Sequence, residues 1–516
     1  MKVVVVGAGM VGSRFADELS RLDPTVEIDV LGDEPYEPYN RVLLTELLAG
    51  RADLAGLLLP RPSGARVHAG RPALGIDRAR KLVRTVAGEL PYDHLVLATG
   101  ARALVIPVPG LRDGLSTSSG TALPRGAHVL RSLDDARDVK AASLNAHHAV
   151  VIGGGPLGLE AACGLRHRGV GVTVVDAAPS LLARDVDEPV ADVVREAAAD
   201  LGIDFVGSAQ IESVQVRDGH VTGVCLGGDH TIAADLVVLA CGTVPDTGLA
   251  AEAGLETDRG VIVGHDLRTT LDPSVSAIGD CAQTPAGTSG LVAPGWAQAR
   301  ELARNLVTGA LIEPVEITGS AMRLKAVGLD VVTMGRRESS SDSHDRVVAL
   351  HDRRARRHLE VVVRDDTLIG VTCVGAPDIA AHLSTQFDRP GMIPSDPLHL
   401  LLGASAGSVT EAPSPTTMPS STTVCRCNGV SKGALVAAWE GGATGVEELA
   451  AATLATTGCG GCTALVGGIC DWLRESDPPA GLSSQDEGVP REETVAARQH
   501  EAPRREISSS YGRVHG

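Results

Sequence analysis

Aromatic residues are almost missing from this chain: three Trp, four Tyr and three Phe in 516 residues. Its cores must therefore be built from Ala, Val and Leu, in a chain that is 43% apolar. With so few rings to stack on, bound cofactors have to be held by backbone groups and helix ends. Positive charge is also scarce. Lys and Arg number 46 against 64 Asp and Glu, a formal net charge of −18. That excludes the basic face that nucleic-acid binding needs, and it suits solubility or docking to a basic protein partner. No apolar run reaches the roughly 18 residues of a membrane-spanning helix. The Val3–Val6 run is too short for a signal-peptide core and a glycine turn follows it at once. The expectation is a cytoplasmic protein without a membrane partner. In that reducing compartment the ten cysteines read as metal ligands or core residues rather than disulfides. Cys163, Cys225, Cys241, Cys281, Cys373 and Cys470 are scattered, and the expectation for them is small buried side chains.

The other four cysteines are not scattered. Cys425 and Cys427 form C-x-C, and Cys459 and Cys462 form C-x-x-C near the C-terminal end. Soft thiolates suit iron–sulfur clusters and zinc alike. Zinc ribbons, however, usually pair two C-x-x-C knuckles, so C-x-C favours [2Fe–2S] over structural zinc only together with the nucleotide-binding turns and the family resemblance carried by the N-terminal residues. Ser431 is placed to cap a first helix ended by Gly441-Gly442, and a second helix is expected over about 446–455. A module of about fifty residues has a meagre core, so its metal should supply much of its folding energy.

Two glycine-rich turns stand between strand and helix patterns. Gly7, Gly9 and Gly12 follow the strand Lys2–Val6, and Gly153, Gly155 and Gly158 follow a strand starting near Ala149. Both read G-x-G-x-x-G, in which the glycines permit a tight turn, close approach to a pyrophosphate and helix–strand packing. The phosphate then sits at a helix N-terminus. After the next strand a carboxylate should bind ribose. In the first unit Asp33 and Glu34 both stand there, with Glu34 preferred; in the second it is Asp176. No Arg follows Asp176 immediately, which favours NADH over NADPH.

Two further segments bear on which turn holds flavin: Ala98-Thr99-Gly100 in YDHLVLATGAR, and Gly279-Asp280 in VSAIGDCA. Together with ACGTVPDTGL around Gly242 they resemble the two-dinucleotide-domain flavoprotein reductases, over about residues 1–310. The resemblance implies FAD on the first turn with Thr99, Gly100, Gly279 and Asp280, and NAD on the second with Gly242. It also implies a helix starting near Ala297 whose N-terminus faces the flavin. The redox dithiol of the disulfide-reducing members is missing: no Cys lies between Gly32 and Gly50, and the cysteines of the second domain stand far apart. Electrons must leave by another route, and the thiolates offer one. Within that stretch Tyr39-Asn40-Arg41-Val42-Leu43-Leu44, and later MRLKAVGLDVVTMG from Met322 to Gly335, resemble the large subunit of NAD(P)H nitrite reductases and assimilatory nitrate reductase electron-transfer subunits. This likeness implies Arg41 near the isoalloxazine and Glu160 near the nicotinamide, with a surface ion pair as the plainer role for each. The thiolate segment resembles the bacterioferritin-associated-ferredoxin-like [2Fe–2S] domain.

The expected fold is α/β: two doubly wound dinucleotide-binding domains, an α+β interface domain and a small helical [2Fe–2S] domain. The FAD domain takes 1–113 plus 245–312, the NAD(H) domain 114–244 and the interface domain 315–402. A linker of 21 residues, 403–423, precedes the module at 424–474, and a polar tail, 475–516, is expected to be disordered. As a flexible coil that linker spans about 25 Å, enough to move the module between docking sites. The expected function is NADH oxidation, with electrons passed through FAD and [2Fe–2S] to a separate terminal reductase. The resemblance points to the catalytic subunit of assimilatory nitrate reductase. A complete sirohaem nitrite reductase would need a further cysteine-bearing domain, and after Cys462 only Cys470 and the tail remain. No catalytic acid or nucleophile is called for. Two alternatives stand: the reductase component of a ferredoxin, rubredoxin or oxygenase system, and a module docking on an iron-storage protein. A homodimer is left open.

Overall fold

The valine run at the N-terminus forms a parallel strand covered on both faces, which is why it reads as continuous rather than alternating. In the computed structural model this strand, β1 (Lys2–Val6), lies at the centre of a five-stranded sheet. It is flanked on one side by β2 (Glu27–Leu31) and then Ala65–His68, and on the other by His94–Leu97 and then Val275–Ala277, all parallel. Helix α1 (Met10–Leu22) buries Phe15, Ala16 and Leu19 against this sheet. The structure describes residues 1–476 except 63, 112–115, 118, 119, 122, 229, 311–320, 338–343, 388–392, 395, 403–414, 417, 426, 427 and 459.

A second parallel sheet repeats the plan, in the order Ala127–Val129, Leu236–Leu239, His148–Ile152, Gly171–Val175, Ile203–Val206. Its crossover helix, Pro156–His167, packs on a short helix of the first domain, α2 (Leu44–Ala49). A Cβ on Gly164 would lie 3.6 Å from the Ala49 nitrogen, so a glycine lets the two helices approach closely. The antiparallel pair Ala101–Ala103 with Thr243–Pro245 marks where the chain leaves one domain and returns.

The segment after residue 320 is a five-stranded antiparallel sheet, as an α+β domain requires. Strands Met322–Arg323, Val331–Gly335, Thr367–Val374, Arg357–Arg364 and Arg346–Asp352 pair antiparallel, with helix Pro377–Phe387 over one face. In the C-terminal module, Ser431 accepts a hydrogen bond from the Ala434 N–H and caps helix Lys432–Glu440. The second helix, Val446–Thr453, ends at Leu454 in the left-handed region (φ 64°).

Three expectations change. A third module helix, Thr463–Ser476, buries Val466, Ile469, Cys470 and Leu473 and runs into the stretch expected to be disordered; residues 477–516 lie outside the described residues, as does 403–414 of the linker. Met418 and Thr422 are buried, and the Lys432 ammonium holds the carbonyls of Pro415 and Met418. The last part of the supposed linker thus belongs to the module. Of the six scattered cysteines, Cys163, Cys281, Cys373 and Cys470 are buried, but Cys225 and Cys241 are only half-buried. Among the described residues no helix is long and apolar enough to cross a membrane.

Candidate functional site

Both glycine turns have the shape that phosphate binding requires. At the first, a Cβ on Gly7 would meet the Ala98 carbonyl oxygen at 2.1 Å, and one on Gly12 would meet the Gly7 carbonyl at 2.0 Å. At the second, Gly153 faces Ala240 and Gly158 faces the Gly153 carbonyl, at 2.4 and 1.8 Å. The middle glycines differ: Gly155 has nothing within 4 Å, and Gly9 only the Arg41 Nε at 3.9 Å. Helices α1 and Pro156–His167 begin at Gly9 and Gly155 without a side-chain cap, which leaves first-turn N–H groups for an anion. The residues present fit two dinucleotide phosphates.

Around the first turn the structure gathers several expected residues. Glu34 accepts from the Tyr39 hydroxyl at 2.7 Å and pairs with Arg41. The Arg41 guanidinium stacks on the Tyr39 ring, 5.1 Å from its centroid. Burial pushes the Tyr39 phenol well above its ordinary range. Asp33 accepts from the Glu34 N–H at 3.0 Å. Thr99 donates to the Asp246 carbonyl at 2.6 Å, so the Ala98–Gly100 turn is tied to the returning chain. Asp280 pairs with Arg131 at 2.7 Å, and Arg131 also reaches the Ala101 carbonyl. The Gly279 N–H is held by Gln298 of helix Val292–Thr308. That helix starts five residues before the expected Ala297, and a Cβ on Gly295 in its first turn would sit 3.4 Å from the Gly279 Cα. Sequence reasoning missed Arg131 and Gln298, whose partners lie 149 and 19 residues away.

At the second turn the Asp176 carboxylate lies beside the glycines, accepting from the N–H groups of Gly154 and Ala178. Gly242 adopts φ 113° with open space where a Cβ would be. Glu160 is not a surface residue. It is 5% exposed, and it accepts from the Thr45 hydroxyl (2.7 Å) and from both the backbone N–H and the ammonium of Lys325 (2.8 and 2.9 Å). It therefore joins all three N-terminal domains.

Of the four thiolate residues, Cys427 and Cys459 lie outside the described residues. Cys425 and Cys462 are brought together. A hydrogen bond from Cys462, helped by the N–H groups of Asn428 and Thr456, lowers the pKa of the Cys425 thiol against the opposing effect of burial. Two thiols side by side, with backbone N–H groups turned toward one of them, are a setting that favours thiolate ligation, so the donor set fits a thiolate-bound centre. The described residues alone contain no group of three or more His, Cys, Asp or Glu able to hold a metal.

The module does not stand apart. Asn428 links the Cys425 sulfur (3.7 Å) to Arg14 of α1, which donates to its Oδ1 at 2.7 Å. Asn40, next to Arg41, donates to the Thr457 carbonyl at 2.7 Å and to that of Gly458. A small cleft at this junction is lined by Met10, Arg14, Pro60, Trp296, Asn428 and Thr457, among others.

Comparison with known proteins gives this arrangement its context. Residues 1–302 match the pyridine nucleotide-disulphide oxidoreductase family, and residues 423–471 match the BFD-like [2Fe-2S] binding domain. The chain is 32% identical over 500 residues to the nitrite reductase [NAD(P)H] of Bacillus subtilis, covering 95% of this chain and 59% of that protein. It is 29% identical over 493 residues to the assimilatory nitrate reductase electron transfer subunit of the same organism, covering 92% and 60%. The chain thus spans about three fifths of the length of these relatives. Among solved structures, the ferredoxin reductase for the CYP199A2 system from Rhodopseudomonas palustris aligns with a TM-score of 0.63 and 28% identity, covering 72% of this chain and 91% of that one. The putidaredoxin reductase–putidaredoxin complex aligns with a TM-score of 0.64 and 26% identity, covering 78% and 99%. The cofactors that go with these families are FAD, NAD(P)H and a [2Fe–2S] cluster. With 302 consecutive residues of the chain matched, the two glycine turns and the thiolate module have their explanation: this chain belongs to the pyridine nucleotide-disulphide oxidoreductase family, as an NAD(P)H-dependent oxidoreductase carrying a BFD-like [2Fe–2S] module.

Proposed function

We propose that the chain is an NADH-oxidising electron-transfer protein serving a separate terminal reductase, with the catalytic subunit of an assimilatory nitrate reductase as its partner. The observation that carries this reading is the contact between the thiolate module and the first glycine-turn domain, through Cys425, Asn428 and Arg14. Bound there, a reduced nicotinamide would supply one hydride, carrying two electrons, to FAD, and a cluster on the thiolates would allow those electrons to leave singly. The chain's own residues hold and orient. In this reading the first-turn N–H groups of α1 and the Gly7–Gly12 turn hold the FAD pyrophosphate, and Glu34 takes the ribose. The resemblance puts Arg41 near the isoalloxazine; its contacts with Gly9 and Glu34 support a role at the phosphate and ribose end of that groove instead. Asp280, with Thr99, Gly100 and Gly279 around it, takes the flavin side. Gly153, Gly155, Gly158 and Gly242 shape the nicotinamide-dinucleotide site, and Asp176 holds its ribose and repels a 2′-phosphate. Cys425, Cys427, Cys459 and Cys462 are the cluster ligands.

A reductase for rubredoxin or ferredoxin is the second reading, supported by 35% identity to the rubredoxin-NAD(+) reductase of Ectopseudomonas oleovorans. That match covers only 55% of this chain and leaves the thiolate module without a purpose. The test is a Cys459→Ser variant assayed with purified nitrate reductase. NADH should still bleach the flavin at the wild-type rate, while nitrate-dependent NADH oxidation stops. Undiminished turnover would remove the module from the route, and wild-type inactivity with nitrate reductase alongside rapid rubredoxin reduction would favour the second reading.

A further inference from the structure

We infer that Asn40 and Asn428 form a latch that seats the thiolate module on the flavin domain, making each a positioning residue for electron passage between the two. The proposal rests on the electron-transfer reading above.

The Asn40 amide is used at both ends. Its oxygen accepts from the Val42 N–H at 3.0 Å and so caps the 3-10 turn Arg41–Leu43. Its nitrogen donates to the carbonyls of Thr457 and Gly458 in the module. The residue is 2% exposed, and its own N–H is taken by the Leu57 carbonyl. One side chain therefore fixes the Arg41 turn and the backbone just before Cys459. On the other flank of Cys459, a Cβ on Gly460 would lie 3.5 Å from Leu43 Cδ2, so the cysteine loop rests on that same turn.

Asn428 supplies the second point. Its nitrogen serves the Leu454 carbonyl, the Thr457 hydroxyl and the Cys425 sulfur, and its oxygen faces Arg14. Arg14 is only 9% exposed at its side chain, pairs with Glu18 at 2.6 Å and lies 5.8 Å from the Trp296 ring centroid. Trp296 in turn donates to the Met10 carbonyl at the start of α1. The path from a ligand sulfur to the phosphate-binding end of α1 thus runs through Asn428 and Arg14. Arg21, whose guanidinium reaches the Ala451 carbonyl at 3.5 Å, is a weaker third point.

These contacts converge on the ligand loops. They touch one ligand sulfur and the residues on both sides of a second ligand, where a small displacement changes the flavin-to-cluster separation most. Interfaces between linked domains allow motion by default, and an unpaired buried amide is costly. Two asparagines with every donor engaged therefore favour one seat over the alternatives. Along this path one electron at a time leaves the reduced flavin and reduces the cluster. The pair comes from NADH, and the external acceptor reoxidises the cluster.

Asn40→Asp separates this role from a local one. Aspartate still accepts from the Val42 N–H, so the turn stays capped, but it cannot donate and sets a carboxylate against two carbonyls. In the holoprotein, reduction of the flavin by NADH should keep its rate. Electron transfer to the cluster, followed by stopped-flow absorbance, should slow at least about tenfold as the seated population falls. Hydrogen exchange in residues 454–460 and 10–17 should rise in the same variant. Asn428→Leu is the second probe: Cys425 loses a donor, and the cluster potential should move down. Unchanged transfer in Asn40→Asp, with or without looser exchange, overturns the latch, as does an unmoved potential in Asn428→Leu. A wild-type protein without iron at its thiolates would instead defeat the electron-transfer reading, and the exchange data would still report on the seat.

Discussion

Asp176 sits at the mouth of the second glycine turn, where its carboxylate accepts from the Gly154 and Ala178 N–H groups. A carboxylate after the second strand of such a unit has one recurrent use, the hydroxyls of a ribose. Asp176→Arg should reverse the charge offered to a 2′-phosphate. The ratio of kcat/KM for NADH to that for NADPH should fall at least about tenfold, equivalent to a difference of about 1.4 kcal/mol; an unmoved ratio would mean the ribose is bound elsewhere. Asp176 and the glycines are legible in the sequence for the same reason: a strict local spacing carries them. Backbone approaches of 1.8 to 2.4 Å to a would-be Cβ admit no other residue at the outer glycines. Asn40 is not legible. Its sequence context is that of a turn cap, and the partners that give it a second role lie 417 and 418 residues away. Arg131, Arg14 and Lys325 are hidden likewise, because pairing across domains leaves no local pattern.

At the scale of elements, strands are easier to read than helix ends. Continuous Val runs force buried parallel strands, and the antiparallel strands of the interface domain follow from short apolar runs such as those in Val331–Gly335 and Arg357–Arg364. The helix Val292–Thr308 starts ahead of Ala297, the position the resemblance implied, with Pro294 in its first turn, where proline is tolerated. Helix Thr463–Ser476 is masked by Gly467-Gly468, although Val466, Ile469, Cys470 and Leu473 form its buried stripe. One strand pair carries a pH dependence. His94 of strand His94–Leu97 contacts the Ser276 hydroxyl at 3.0 Å, and burial lowers its pKa from 6.5 to about 4. The folded chain holds it neutral while the unfolded chain protonates near 6.5. Its contribution is therefore complete above that pH and is lost as pH falls toward about 4, on the order of 3 kcal/mol at most. Urea midpoints should drop across that window, and His94→Gln should flatten that part of the profile. A wild-type profile no steeper than the variant's would show that the imidazole is not kept neutral.

The three N-terminal domains share one buried apolar cluster, with Leu44 and Leu48 of the first, Leu159 and Leu165 of the second and Leu324 and Val331 of the third, and a few buried polar ties run across it. Glu160 is one of them, taking Thr45 from the first domain and Lys325 from the third while sitting on the crossover helix of the second. The resemblance points toward the nicotinamide for this residue; its geometry adds a polar joint among three domains that also share an apolar core. The Lys325 side chain is 15% exposed and that of Glu160 5%, so solvent screens the pair weakly. Lys325→Met would leave the carboxylate with only the Thr45 hydroxyl and the Lys325 backbone N–H. Breaking a buried pair costs about 3–5 kcal/mol when the remaining charge has no partner, and those two surviving donors bring the expected loss to about 2–3 kcal/mol. Glu160→Gln combined with Lys325→Met removes both charges and keeps an amide for Thr45, so most of the loss should return. Denaturant midpoints of the wild type, the single variant and the double variant give the cycle. If the single and double variants are equally destabilised, the joint depends on the packing of the Lys325 stem rather than on charge, and the ion pair is not what fixes the third domain against the other two.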